Sequence, residues 1–175
     1  MPRFVMVSLV FVSLLICPSV APGLAAEPEA KTFTAAAIQA HSQFGEPAAN
    51  REKLARLVRQ AARHGARVIV LPETAVTGYL TDDLKQAWQL PGRELSPGLT
   101  GVDPREAAET VPGPSCEFFG KMAAELGVYV TVPLLEIDRK TGFCYNTSLL
   151  FGPTGQMLIH YRKRNPWPWA ELGWG

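Results

Sequence analysis

Cysteine and histidine are scarce in this chain, three of each in 175 residues, and there is almost no excess of charge of one sign, since 17 Lys and Arg nearly balance 16 Asp and Glu. Each lack excludes something. A disulfide framework needs several closely spaced cysteines, whereas only Cys17, Cys116 and Cys144 occur. A metal centre needs Cys or His at short, regular spacings, and His41, His64 and His160 are isolated from one another. No metal and no cofactor are therefore expected. The near-neutral balance gives no electrostatic reason to expect a nucleic-acid partner, and the one dense basic cluster, Arg162-Lys163-Arg164, is too short to form a binding footprint. Internal repeats and low-complexity tracts are also lacking. What remains, 47% hydrophobic and 19% charged, fits a globular domain.

Long apolar runs are lacking too, with one exception at the start. Residues 4–17 are uncharged and apolar and follow the short basic opening Met1-Pro2-Arg3. The run falls short of the roughly 20 residues that a bilayer-spanning helix needs. Pro18 and Pro22 come next, then the small-residue stretch Gly23-Leu24-Ala25-Ala26. This order predicts a signal peptide over residues 1–26, a domain over 27–175, and a secreted or periplasmic protein with no stable membrane span after cleavage. In an oxidising compartment Cys116 and Cys144 could pair or remain two buried thiols, and the sequence leaves both open.

Past the signal, periodicity and punctuation give alternating strands and helices. Residues 31–42, with their apolar run FTAAAIQA, read as a buried first strand. Pro47 suits a first helical turn, Leu54, Leu57, Val58, Ala61 and Ala62 fall at helical spacing, and Gly65 serves as a cap. Residues 67–71 form a β-branched strand closed by Pro72. A strand, a helix and a strand make a βαβ unit, for which a parallel right-handed crossover is the default. Glu73 then lies just beyond the carboxyl end of a central strand, where open α/β sheets place their sites. Residues 91–114 read as a surface excursion with a short helix over 104–109. A helix from Ser115 stops at Gly127, and strands follow over 128–132, 143–151 and 156–161, with turns at 138–142 and 152–155.

The motifs VIVLPETAVTGY (68–79) and HYRKRNPWPWAE (160–171), together with VPGPS (111–115), GVYVTV (127–132) and YNTSLLFGPTG (145–155), stand in the order and spacing of the nitrilase, or carbon-nitrogen hydrolase, superfamily. The chain resembles that superfamily from Phe33 to Lys163. The resemblance implies an α/β fold, an αββα sandwich, here incomplete because its carboxy-terminal part is absent. It also implies hydrolysis of a non-peptide carbon-nitrogen bond in a small amide, with nitrile or N-carbamoyl substrates as variants. The PWPWAELGW stretch leans toward the amidase-like branch. Members of the family commonly pair through helices and tails, so a homo-oligomer is expected of the full-length form.

Such hydrolysis requires a nucleophile, a base that deprotonates it, and a cation that stabilises the developing negative charge. By resemblance Glu73 is the base, Lys163 stabilises the tetrahedral intermediate, and Glu171 positions substrate and lysine. The first two are expected to converge on one cleft, within about 10 Å, because a base acts within hydrogen-bond reach or through one water. In the family the nucleophilic cysteine follows the lysine, and no cysteine follows Lys163 up to Gly175. Cys116, near a helix N-terminus, is a tempting substitute. It precedes the lysine and follows a loop, so it is rejected, and Cys144 reads as a small buried hydrophobe. Tyr79 and Trp167 are candidate pocket residues, and Asn146 reads as a residue that holds backbone together. The alternative to an enzyme is a catalytically inactive fragment or pseudoenzyme that retains half of the fold.

Overall fold

The computed structural model describes residues 32–79 and 104–166, so the expected signal peptide, Trp167 and Glu171 lie outside the described residues. Five strands form one mixed sheet in the order β1-β2-β3-β4-β5. They are β1 (Thr34–Ala37), β2 (Ala66–Val70), β3 (Tyr129–Ile137), β4 (Cys144–Phe151) and β5 (Met157–Arg162). Strands β1, β2 and β3 run parallel, and β3, β4 and β5 are antiparallel neighbours. The helices are α1 (Pro47–Arg63), α2 (Pro104–Ala107) and α3 (Pro114–Leu126).

Local sequence accounts for most of these limits. Proline opens both long helices, where its missing N–H costs nothing. Gly127 closes α3 in the left-handed conformation, φ 63°, that a side chain resists. Leu54, Val58 and Ala61 of α1 and Phe119, Met122 and Ala123 of α3 recur at helical spacing. They pack on Ile69, Val130, Val132, Leu149 and Phe151 in one core against a single face of the sheet. The carboxylate of Glu109 ties the helices together, accepting from Arg51 of α1 and, at 2.8 Å, from the backbone N–H of Ser115 at the start of α3.

Two expectations change. The first strand is not buried: of β1 only Ala36 is covered, because among the described residues β1 is an edge strand with a helix on one side alone. Strand β3 runs to Ile137 and does not stop at Val132. Its pairing with β2 ends at Val130, and the Pro133 carbonyl accepts from Val76 N at 3.1 Å, so a loop flanks β3 where a proline would otherwise interrupt a ladder.

The opposite face of the sheet carries Val70, Tyr129, Ile159 and Tyr161, all well exposed. Among the described residues only one end of it is covered, where Leu135 and Cys144 pack with Ala107, Ala108 and Phe44. The helix-and-sheet layering is that of the expected α/β fold, with one sheet and its helix layer among the described residues.

Candidate active site

The turn after β2 is held rigidly. Thr74, Ala75, Val76 and Thr77 are buried, and the segment after β1, helix α1 and strand β3 each contribute bonds to them. Ser42 Oγ donates to Ala75 O at 2.6 Å, Asn50 Nδ2 to Val76 O at 2.9 Å, and Gly45 N to Thr77 O at 2.9 Å, while Leu135 N donates to Thr77 Oγ1 at 3.0 Å. Thr74 sits at φ 51°, a region that non-glycine residues seldom enter, and Gly78 closes the turn by donating to Thr74 O at 2.8 Å. Strain of this kind persists only where the surroundings over-determine it. Glu73 stands at the head of this braced turn.

Register delivers the other groups. Asn146 and Ser148 of β4 share a face with Thr131 and Pro133 of β3, and Tyr161 of β5 pairs with Ser148. Lys163, two residues beyond Tyr161, emerges on that face, with its backbone N–H donating to Asn146 O at 2.8 Å. The result is an open cleft of about 340 Å³ on the uncovered side of the sheet, lined by Glu73, Lys163, Asn146, Thr131, Ser148 and Tyr161 over a floor that includes Val70, Leu71 and Pro133.

Glu73 and Lys163, 90 positions apart in sequence, meet here with Nζ 3.0 Å from Oε1. Asn146 Nδ2 donates to the same oxygen at 2.6 Å. Asn146, expected only to hold backbone, therefore touches the carboxylate directly. The alternation of YNTS (145–148) puts Asn146 and Ser148 on one face, but nothing local says that Glu73 lies opposite. The Glu73 side chain is 53% exposed and that of Lys163 29%. The shielding expected of a strand-end carboxylate is thus only partial, because no second layer among the described residues covers this face.

Neither cysteine lines the cleft. Both are buried thiols. Burial pushes the Cys116 thiol up from its ordinary value, the backbone of Gly113 works the other way, and the carboxylates of Glu109 and Glu136 add to the rise. A helix N-terminus therefore does not make this thiol reactive. Tyr79 is likewise absent from the cleft wall, and Tyr161 supplies an aromatic ring there. Among the described residues no three His, Cys, Asp or Glu side chains are grouped to hold a metal ion.

The sequence pattern of the family described as carbon-nitrogen hydrolase matches residues 34–173. An aliphatic nitrilase of Sinorhizobium fredii (strain HH103) is 34% identical over 143 residues, which cover 82% of this chain and 45% of the relative. The bifunctional nitrilase/nitrile hydratase NIT4A of Lupinus angustifolius is 31% identical over 147 residues, 83% of this chain and 41% of the relative. The chain thus spans less than half the length of these curated relatives. Among solved structures, an amidase from Nesterenkonia sp. superposes with a TM-score of 0.55 at 17% identity, over 76% of this chain and 43% of that one. A carbon-nitrogen hydrolase from Helicobacter pylori G27 superposes with a TM-score of 0.55 at 20% identity, over 80% and 42%. With its sequence pattern matched across most of its length and its sheet-and-helix arrangement shared, the chain belongs to the carbon-nitrogen hydrolase family.

Proposed function

We propose that this protein contributes to hydrolysis of the carbon-nitrogen bond of a small amide or nitrile, with Glu73 as general base and Lys163 as the cation that stabilises the tetrahedral intermediate. The observation that carries the reading is the contact between Lys163 Nζ and Glu73 Oε1 at 3.0 Å, in a cleft at the carboxyl end of β2. A carboxylate bonded to an ammonium and a carboxamide is oriented before substrate arrives, and pre-orientation of that kind lowers the cost of reaching the transition state. Asn146 helps to fix the carboxylate by donating to the same oxygen. Glu171 is proposed to position substrate and lysine, on the strength of its motif alone.

The nucleophile in this reading is a cysteine encoded after Lys163, and neither Cys116 nor Cys144 takes that role. Taken by itself, the 175-residue polypeptide would then hold base and cation without a thiolate, and would be catalytically idle. The apolar stretch and small residues of positions 4–26 support the proposal that the protein is exported.

The test begins with the nucleotide sequence beyond codon 175. If the frame continues into a strand, a cysteine and a helix start, the longer product is assayed for ammonia release from short aliphatic amides and nitriles. Turnover abolished by Glu73→Gln and by Lys163→Ala supports the assignment; turnover that survives both overturns it. A stop codon at that point favours the inactive polypeptide.

A further inference from the structure

Arg162, the last residue of β5, and Lys163, the next in the chain, face two carboxylates on opposite sides of the sheet. Lys163 meets Glu73 on the open face, and Arg162 meets Glu136 on the helix-covered face. Glu136, on β3, is only 2% exposed. Its Oε1 accepts from Arg162 Nη2 at 2.5 Å. Its Oε2 accepts from Arg162 Nε at 3.2 Å and from Thr147 Oγ1 at 2.7 Å, and lies 2.8 Å from His160 Nε2. The guanidinium also lies over the ring of Tyr145, its Cζ 3.9 Å from the centroid. Strand β4 runs between β3 and β5, so these bonds reach across a whole strand and tie β3 to β5 above it.

That tie matters because, among the described residues, β5 is an edge strand with a backbone ladder on one side only. A buried carboxylate with fork-shaped, two-point contact to arginine fixes direction as well as distance. Without the carboxylate, Arg162 and His160, whose side chains are 38% and 35% exposed, are drawn to water, and the carboxyl end of β5 loses its side-chain tie to β3. Lys163 follows Arg162 directly, and its ammonium sits at the end of a long flexible stem. Its placement depends on the backbone that carries it. We propose that Glu136, acting through Arg162, is a positioning residue for Lys163: it anchors the end of β5 so that the lysine ammonium is delivered to Glu73 and Asn146. The proposal rests on the reading of Glu73 and Lys163 as the reacting pair.

The experiment follows the side-chain ammonium of Lys163 by NMR in chain labelled with ¹⁵N-lysine, the signal being assigned by its loss in Lys163→Arg. Glu73→Gln removes the partner's charge and marks where the signal of a Lys163 without its ion pair falls. Glu136→Gln and Arg162→Gln are each expected to carry the signal most of the way to that mark. Val58→Ala, a cavity in α1 remote from β5, is expected to lower the melting temperature and leave the signal in place, which separates positioning from a general loss of stability. Should Glu136→Gln fail to fold, Arg162→Gln, with its partly exposed side chain, decides the matter. A signal that shifts in Glu73→Gln and stays fixed in Arg162→Gln, or that shifts as far in Val58→Ala, overturns the positioning role and leaves the pair standing. A signal indifferent to Glu73→Gln overturns the pair itself and the proposal with it.

Discussion

Asn146 and Lys163 are joined twice: the backbone N–H of Lys163 donates to Asn146 O at 2.8 Å, and the two side chains meet on one oxygen of Glu73, at 2.6 Å from Asn146 Nδ2 and 3.0 Å from Lys163 Nζ. The end of β5 and the middle of β4 therefore present their polar groups to the carboxylate as a unit. Each element of that unit can be probed separately.

Asn146→Asp replaces a donor by a second carboxylate against Glu73. The position is 9% exposed, so solvent screens the repulsion poorly. A loss of about 1–2 kcal/mol in urea unfolding at neutral pH is expected, in the range of a buried polar group left without its partner. Uptake of one proton by the pair would relieve the repulsion, so the deficit should shrink as the pH falls. A deficit that does not change with pH would assign the effect to packing alone.

Glu136 makes the fold sensitive to acid. Burial alone would raise its carboxyl, but the hydrogen bonds from Arg162, His160 and Thr147 outweigh burial and hold it below its ordinary value of 4.5. A carboxyl that is lower in the folded chain than in the unfolded one contributes its stability in full above the unfolded value and loses it as the pH falls through the folded one. The urea midpoint should therefore drop progressively below pH 4.5. In Glu136→Gln the midpoint at neutral pH should be lower and the acid limb flatter. An equally steep limb in that variant would place the sensitivity on another group.

Glycines at two turns should respond unequally to alanine. Gly65 and Gly78 are both left-handed, φ 85° and 78°. A Cβ on Gly65 meets nothing within 4 Å, whereas one on Gly78 lies 3.0 Å from the Phe44 backbone. Gly65→Ala should cost about 1 kcal/mol, the ordinary left-handed penalty. Gly78→Ala should cost about 1–3 kcal/mol more, as overpacking does, since a backbone atom cannot step aside. Equal losses in melting temperature would mean that the segment carrying Phe44 yields.

The 175-residue chain should release no ammonia from short aliphatic amides or nitriles above background, and Cys116→Ala should leave that background unchanged. Losing a nucleophile removes several orders of magnitude in rate. Both buried thiols should also react slowly with a disulfide reagent until the chain is unfolded. Turnover that disappears with Cys116→Ala would make that thiol the nucleophile after all.

Much of this architecture can be read from local signals, and the exceptions have a common cause. Pro47, the apolar spacing of α1 and Gly65 delimit one helix without help from the rest of the chain, and Gly127 does the same for α3. Strand β3 reads short because Pro133 resembles a stop, and only the loop at Val76 shows why it is tolerated. Glu73 and Lys163 are visible as members of motifs. The role of Asn146 is not, since it depends on a carboxylate 73 positions away and on the register of β4 with β5. Glu136 is marked in sequence only as one charge inside the apolar run LLEI (134–137), a sign of burial that does not name its partners. Which face of the sheet is covered escapes the sequence as well, because Val70 and Ile159 on the open face are as apolar as Ile69 and Leu149 on the covered one.

Strand β5 also carries a hazard in its register. Arg162 and Lys163 are adjacent cations on opposite faces, each with an acidic partner, and Arg164 follows them, so a slip of one residue would offer Lys163 to Glu136 and Arg164 to Glu73 and turn every side chain of the strand over. Charge alone would accept either arrangement. What distinguishes them is shape: the fork of Arg162 spans both oxygens of Glu136 and lies flat on Tyr145, neither of which an ammonium can imitate. The choice between arginine and lysine at two neighbouring positions thus works as an alignment key, telling an edge strand where to stop sliding.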